Sequence, residues 1–397
     1  MHRPLITAVT GLPVRFYWHW PPGAWRMRAF FRKLTGDCRV IANFESTIAK
    51  PPTAIPGRAR FPLPRLGVMT SMRGSAPAAA CRWLALLITL PVLVLSVLRA
   101  VPVELPLLAV QLLSFTPWLA MPAAAALLFA FLGRSRWLQL SAGVLLLCQV
   151  FWLFPLDTTR PAAASAAAAV PLTVMNINSE FGEADADRIV GLVRDNGVEL
   201  LAVQEHNQGL QDRLSAAGLD GALPYRISEP TNDAGGSALY SRFPMELVGH
   251  VPDTPFKMPT VRLSAEQHGV VAVLEVTNVH ALPPVDGSID QWRSDLAAVA
   301  RVAERPGNRL LIGDFNATYD HTEFRELLGA GPGLVDVGAA SGSRLVPTWP
   351  MEGPRLPGIT IDHLVTSPQV GSSGYQVHPV PGTDHAAVLA TLSIPAS

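Results

Sequence analysis

Between residues 83 and 156 the chain carries three long apolar runs, and such stretches have few options. Each is buried in protein on every face, or it crosses a bilayer. The first run, 83–98 (WLALLITLPVLVLSVL), contains no charged residue and is short but adequate as a span if its flanks reach the interface. The second, 105–132, is interrupted by Pro106, Pro117 and Pro122, which kink helices but are better tolerated in membranes than in water. The third, 137–156, has Trp137, Trp152 and Phe154 near its ends, as interfacial aromatic belts do. A buried helical hairpin of a soluble protein rarely stays apolar all round for this long. Three transmembrane helices are therefore expected within 82–156.

The distribution of charge then orients them. Thirteen Lys/Arg lie between Arg3 and Arg82, against only Asp37 and Glu45, and Arg134 and Arg136 flank the short loop before the third run. Positive flanks stay on the cytoplasmic side, so everything after Asp157 is expected outside the cell membrane, as part of a multi-pass protein. A signal peptide is the competing reading of the first run, but no clear small-residue cleavage site follows it and two more apolar runs do. Residues 1–81 read as a basic tail, disordered and cytoplasmic, or else as an over-extended start. Residues 157–170, rich in alanine, read as a linker.

From residue 161 onward the chain changes character. It holds fourteen Lys/Arg against twenty-seven Asp/Glu, a formal charge of −13, with Lys257 its single lysine. All three cysteines, Cys38, Cys81 and Cys148, precede it, so it has neither disulfides nor a cysteine metal site. Strand-like runs at 172–178, 200–205, 237–241, 270–280, 310–314, 361–366 and 385–394 alternate with helical spacing at 184–196, 289–304 and 322–329. Residues 171–397 thus form an α/β domain with one sizeable core.

Polar residues collect where those strands end: Asn176 and Asn178, Glu205, His280, Asp314 with Asn316, Asp362 with His363, and Asp384 with His385. A carboxylate or amide at the end of an apolar strand is costly unless it meets a cation or a partner, and repetition on several strands implies one shared site. Oxygen donors without sulphur suit Mg²⁺ or Mn²⁺ better than Zn²⁺. Such an ion polarises a phosphoryl oxygen while a carboxylate or histidine activates water.

Asn176, Gln204-Glu205, GGSALYSRFP (235–244), NVHALPP (278–284), GDFNA (313–317), IDHL (361–364) and TDH (383–385), in this order, resemble the endonuclease/exonuclease/phosphatase superfamily. The resemblance implies a two-sheet, four-layer α/β sandwich and a metal-dependent hydrolase of phosphate esters. Position by position it implies that Glu205 is the main metal ligand, with Asn176 helping to build the metal and phosphate site and Asp384 beside it. Asp314 would orient or deprotonate the attacking water, and Asn316 would hold the phosphate or that water. His385 would contact phosphate or move a proton, oriented by Asp362, and His280 would stabilise the phosphate or protonate the leaving oxygen. Asn178, His206 and His363 are expected to be structural or to support the residues that touch metal and substrate.

An acidic domain with one lysine is poorly suited to holding a polyanion, which disfavours nucleic acid as substrate without removing a tethered nuclease or phosphodiesterase as the alternative. Three spans followed by this domain also resemble the VanJ-type membrane proteins associated with glycopeptide resistance. The expected partners are therefore the lipid bilayer and a lipid-linked or other envelope phosphate, with no protein partner.

Overall fold

The computed structural model describes residues 76–154, 169–353 and 357–396. The basic segment up to residue 75 and most of the Ala-rich linker lie outside them. Among the described residues, two helices are long and apolar enough to cross a membrane: α1 (Ala76–Ala100) and α4 (Arg136–Leu153). The second expected span departs from a single helix. It breaks into α2 (Leu107–Leu113) and a continuous stretch Thr116–Leu132, of which α3 (Ala120–Leu132) is the α-helical part, and the two pieces meet at a 70° bend. The reason is tertiary. Ala109, Val110 and Leu113 of α2 are buried in the same apolar cluster as Trp292, Leu296 and Phe324 of the C-terminal domain. The first third of the apolar run thus places Leu105, Ala109, Val110 and Leu113 in the core of the globular unit.

The helices α1, α3 and α4 pack on one another, with Gln149 donating to the Ser96 hydroxyl at 2.9 Å and Arg82 to the Gly133 carbonyl at 2.8 Å. Their outward faces are apolar and exposed: Leu87, Leu128 and Leu147 are 65%, 57% and 70% accessible.

The domain is a four-layer sandwich of two six-stranded sheets. One has the order β11-β12-β1-β2-β4-β3, from β1 (Ala169–Asn178), β2 (Leu200–Gln204), β3 (Tyr225–Glu229), β4 (Ser237–Ser241), β11 (Gly371–Pro379) and β12 (Ala386–Pro395). The other runs β5-β6-β7-β8-β10-β9, from β5 (Met245–His250), β6 (Pro259–Gln267), β7 (Val270–His280), β8 (Arg309–Asp314), β9 (Val335–Asp336) and β10 (Asp362–Thr366). Each sheet has one parallel pair at its heart. β1 and β2 are joined through α5 (Ala186–Asp195), the short helices α6 (Gln208–Ala216) and α7 (Leu219–Ala222) follow β2, and β7 and β8 are joined through α8 (Ile289–Ala303). Both helices follow from their apolar spacing. Ile189, Val190 and Val193 bury one face of α5, whose Asp185 side chain caps the first turn by accepting from Arg188 N at 2.8 Å. Trp292, Leu296, Val299 and Ala303 do the same for α8.

Strand alternation sorts the side chains into layers. Met175, Ile177, Leu201 and Val203 face the α5 side, while Val279, Leu311 and Val365 face α8 and α9 (Thr322–Leu328). Between the sheets lie Leu172 and Val174, Leu200 and Ala202, Leu274 and Val276, Leu310 and Ile312, and Leu364. Continuing each of these rows by one pleat gives Asn176, Gln204, Asn278, Asp314 and Asp362. The inter-sheet layer is hydrocarbon along most of its length and turns polar at one end, where the parallel strands finish.

Candidate active site

That polar end contains every residue expected from the sequence. Asp362 Oδ2 lies 3.0 Å from His385 Nδ1, and His385 Nε2 lies 3.8 Å from Asp314 and 3.7 Å from Asp384. His280 Nε2 is 3.9 Å from both Glu205 and Asp314. Asn316 donates its backbone N–H to Asp314 at 2.8 Å, and its amide nitrogen to the Ala281 carbonyl at 3.0 Å. That commits the amide nitrogen to holding the Asp314 loop. Asn176 lies in the floor of the site, accepting from Gln204 at 2.7 Å and donating to Asp362 at 3.4 Å.

Local backbone aims these groups. Glu205 and Asn316 adopt positive φ, 54° and 48°, a region unfavourable for non-glycine residues and tolerated where surrounding contacts over-determine it. Two motif glycines make room. A Cβ on Gly313 would meet the Val279 carbonyl at 1.9 Å, and one on Gly236 would meet the His206 carbonyl at 1.9 Å. GDFN and GGS are therefore close-approach motifs that let the loops bearing Asp314 and Glu205 lie against neighbouring backbone.

Other residues of the site were less visible in sequence. Asn178, expected in a structural or supporting role, donates from one amide to both Glu205 (3.2 Å) and Asp314 (3.1 Å) and so supports two carboxylates across the sheets. Asn278 accepts from Gln204 at 2.6 Å and donates to Ser237 Oγ, the Val203 carbonyl and the Ala238 carbonyl, tying β7 to β2 and β4. Trp349 donates to Asp384 at 2.7 Å, and Phe256 stacks on the His280 ring at 4.5 Å. Asn278 stood inside a recognised motif, and its place in the alternation was the available signal. Trp349 and Phe256 come from loops with no local signal. His206 and His363, in line with expectation, are held in the interior, the latter by Asp336 at 3.2 Å and the Ala317 carbonyl at 2.9 Å.

The electrostatics are those of an acidic, water-poor pocket. Burial raises the proton affinity of Glu205 and of Asp314, the latter also through the nearby Asp362 charge. Burial by itself would keep the His385 ring neutral, but Asp362, Asp314 and Asp384 outweigh it and hold the ring protonated. His280 goes the other way, pushed down to about 3 by burial and by the His385 charge, and stays neutral. Two histidines with opposite charge states in one pocket divide the work between a cationic and a neutral group.

Ligand atoms of Asp314, Asp362 and His385 all lie within 4.8 Å of one another, with Glu205 and Asp384 beside them. Oxygen-rich and free of sulphur, this set fits a hard divalent cation, and carboxylates desolvated to this degree would be returned to their ionised form by one.

Residues 175–385 match the model of the Endonuclease/Exonuclease/phosphatase family. No curated protein sequence matches the chain. Among solved structures, D. rerio TDP2 complexed with single strand DNA product is similar at 14% identity and a TM-score of 0.45, covering 56% of this chain and 98% of its own. An endonuclease/exonuclease/phosphatase family protein from Bacteroides thetaiotaomicron is similar at 14% identity and a TM-score of 0.42, over 57% of this chain and 96% of its own. The human Nocturnin catalytic domain with bound sulfate anion gives 16% identity and a TM-score of 0.42, over 56% of this chain and 94% of its own.

Proposed function

The chain belongs to the endonuclease/exonuclease/phosphatase family, a family of metal-dependent phosphoester hydrolases, and on that premise we propose that it is a membrane-anchored enzyme of the cell envelope whose substrate is a lipid-linked or other envelope phosphate. The observation that carries this reading is the docking of the catalytic domain on the apolar helices. α2 is part of the domain's own core, and the exposed faces of α1, α3 and α4 are hydrocarbon that water would not tolerate over such an area. An extracytoplasmic site is supported by the placement of charge. Arg82, Gly133 and the Arg134–Arg136 turn share one end of the helices, while Arg99, Trp118 and Trp152 at the other end contact the domain. The −13 charge of the domain disfavours nucleic acid. The resemblance to VanJ-type proteins extends the proposal to a contribution to glycopeptide resistance.

In this reading Glu205, with Asp384 and through Asn176 the floor of the site, holds Mg²⁺ or Mn²⁺, which when bound supplies Lewis-acid stabilisation of the phosphoryl and leaving oxygens. Asp314, fixed by Asn178 and the Asn316 N–H, is the group that orients water and takes its proton, its raised affinity placing it nearer the working pH than an exposed aspartate. His385, steered by Asp362, offers a cationic N–H to the phosphate. Neutral His280, clamped by Phe256, donates without adding charge.

The full chain in lipid nanodiscs, assayed for phosphate release from a polyprenyl diphosphate and for acid-soluble nucleotide release from DNA, tests this. Phosphate release that depends on Mg²⁺ or Mn²⁺, and that falls by roughly 10²–10⁴ in His385→Ala and Glu205→Gln, is expected. Activity retained in both variants would overturn the site, and nucleotide release alone would overturn the substrate class. A C-terminal reporter active only in the cytoplasm would overturn the topology.

A further inference from the structure

At the seam between the helices and the catalytic domain lies a cavity of about 420 Å³. This is within the ~300–1,000 Å³ range of small-molecule sites, which favour domain interfaces and combine apolar walls with a few polar groups. Here Trp118, Met121 and Leu153 of the helical segments face Leu345, Pro347 and Ile359 of the domain. The apolar surface continues beyond the cavity. Met121 is 67% exposed and lies two helical turns from Leu128 on the same face of α3, and Leu345 and Val346 are each 41% exposed on the domain side.

At its polar end Arg344 and Asp320 line the cavity, and Arg99 and Arg325 lie behind them. Arg344 and Arg99 both reach the single oxygen Oδ1 of Asp320, at 3.4 and 2.7 Å, and Arg325 donates to the Arg99 and Asp320 carbonyls. The other nearby carboxylates are engaged elsewhere, Glu323 by Arg293 at 3.2 Å and Asp336 by His363 at 3.2 Å. Three guanidinium groups thus share Asp320 as their nearest carboxylate, with Glu323 and Asp336 acting on Arg325 and Arg344 from farther away, so positive charge predominates beside the cavity. Arginine's planar fork is suited to phosphate, and partial desolvation strengthens the attraction.

The same wall leads to the catalytic residues. Leu345 and Pro347 line the cavity, Thr348 Oγ1 accepts from Asp362 N at 3.2 Å, and Trp349 donates to Asp384 at 2.7 Å. Trp349 lies four positions after Leu345, a reach of at most about 14 Å. We propose that the seam cavity is a lipid-chain subsite: it takes the hydrocarbon chain of an anionic lipid whose phosphate is the group hydrolysed, and the arginine cluster draws that headgroup to the seam. The proposal rests on the phosphoesterase reading given above. It names a substrate with a long chain and an anionic head, and it separates that substrate from a soluble phosphate of the same headgroup chemistry.

Two measurements on the full chain in nanodiscs test it. Farnesyl diphosphate and isopentenyl diphosphate share a headgroup and differ in chain length. The ratio of their kcat/KM values is expected to fall roughly tenfold or more in Met121→Trp and Leu345→Trp, which fill the cavity from opposite walls. A ratio unchanged in both variants overturns the subsite. Independently of turnover, a farnesyl diphosphate analogue with a diazirine on its chain is expected to label the peptides containing Met121, Leu153 or Leu345, and to do so less in Arg344→Gln. Labelling confined to the outward faces around Leu128 and Leu147 overturns the proposal. If the wild-type protein hydrolyses neither substrate, the phosphoesterase reading fails while the labelling still decides the cavity.

Discussion

Asp320→Asn puts the seam between helices and domain to the test. The Asp320 side chain is 2% exposed, and its Oδ1 is the shared partner of Arg99 and Arg344, themselves 8% and 9% exposed. Asparagine keeps the shape but removes the charge, so two buried guanidinium groups lose their counter-ion. Truncating one side of a buried pair costs about 3–5 kcal/mol. Stacking of Arg99 on Trp152 (4.3 Å) and of Arg344 on Tyr319 (4.2 Å) remains and keeps the loss toward the lower end. At roughly 2–4 °C per kcal/mol for a unit of this size, the melting temperature in detergent or nanodiscs should drop by about 6–15 °C. The loss should also be local. Amide exchange should quicken around residues 97–100 and 318–328 while β1, β2, β7 and β8 keep their protection, because the inter-sheet core contains none of these groups. The triple variant Arg99→Met/Asp320→Leu/Arg344→Met removes charge and counter-charge together, and should recover to within about 2 kcal/mol of wild type, since well-packed apolar groups often equal a buried ion cluster. A neutral Asp320→Asn, or a triple variant as unstable as the single one, would refute the electrostatic account of the seam.

Asn278→Leu should cost about 2–4 kcal/mol in denaturant titration and lower kcat with little change in KM. It strips a partner from Gln204, Ser237 and two backbone carbonyls at the floor of the site and loosens the Gln204–Asn176–Asp362 chain; full stability would show that the amide network is dispensable. His321 takes the Thr318 N–H on Nδ1 at 2.9 Å and faces the Val110 carbonyl with Nε2 at 2.9 Å, so its proton sits on Nε2, and burial keeps its pKa below the ordinary histidine value. The unfolded chain therefore binds a proton that the folded one resists: stability is complete above about pH 6.5 and is lost as pH falls below it. His321→Asn should flatten the dependence of melting temperature on pH between about 5 and 7, and an unchanged slope would remove His321 from the account.

How far the sequence reached depended on whether the signal was local. β4 and β7 were found at their true limits, and α5, α8 and α9 within two residues, because each buries one face in a regular period. β3, β5 and β11 escaped because edge strands such as YRISE and MELVGH are half exposed and show no clean alternation. The candidate site was legible because polar residues broke an apolar period at strand ends. The supporting place of Asn178 follows from the same break in period, but which carboxylates it holds on the two sheets does not show in its neighbours in sequence. The second apolar run reads as one span because hydropathy does not distinguish lipid from protein as the apolar surroundings, and the 70° bend leaves no mark on it. Its first third meets Trp292 and Phe324, residues more than 170 positions away.

The bent segment also bears on mechanism. A domain joined to membrane helices by a linker alone could turn its site in any direction, and anchoring would only raise local concentration. Here Trp118 donates to the Gly358 carbonyl, Arg344 to the Trp152 carbonyl and Gln111 to the Pro284 carbonyl, so the loops bordering the site are bound to the ends of the helices. On the membrane reading, the pocket then has a fixed height and orientation above the bilayer. A lipid-borne phosphate arrives by lateral diffusion at that height and in one orientation, and part of the entropy of productive binding is met before the encounter. A soluble polyanion gains nothing from this arrangement and must also approach a domain of formal charge −13. Fixed docking and acidic charge are independent features, and both favour a short anionic headgroup presented by the membrane.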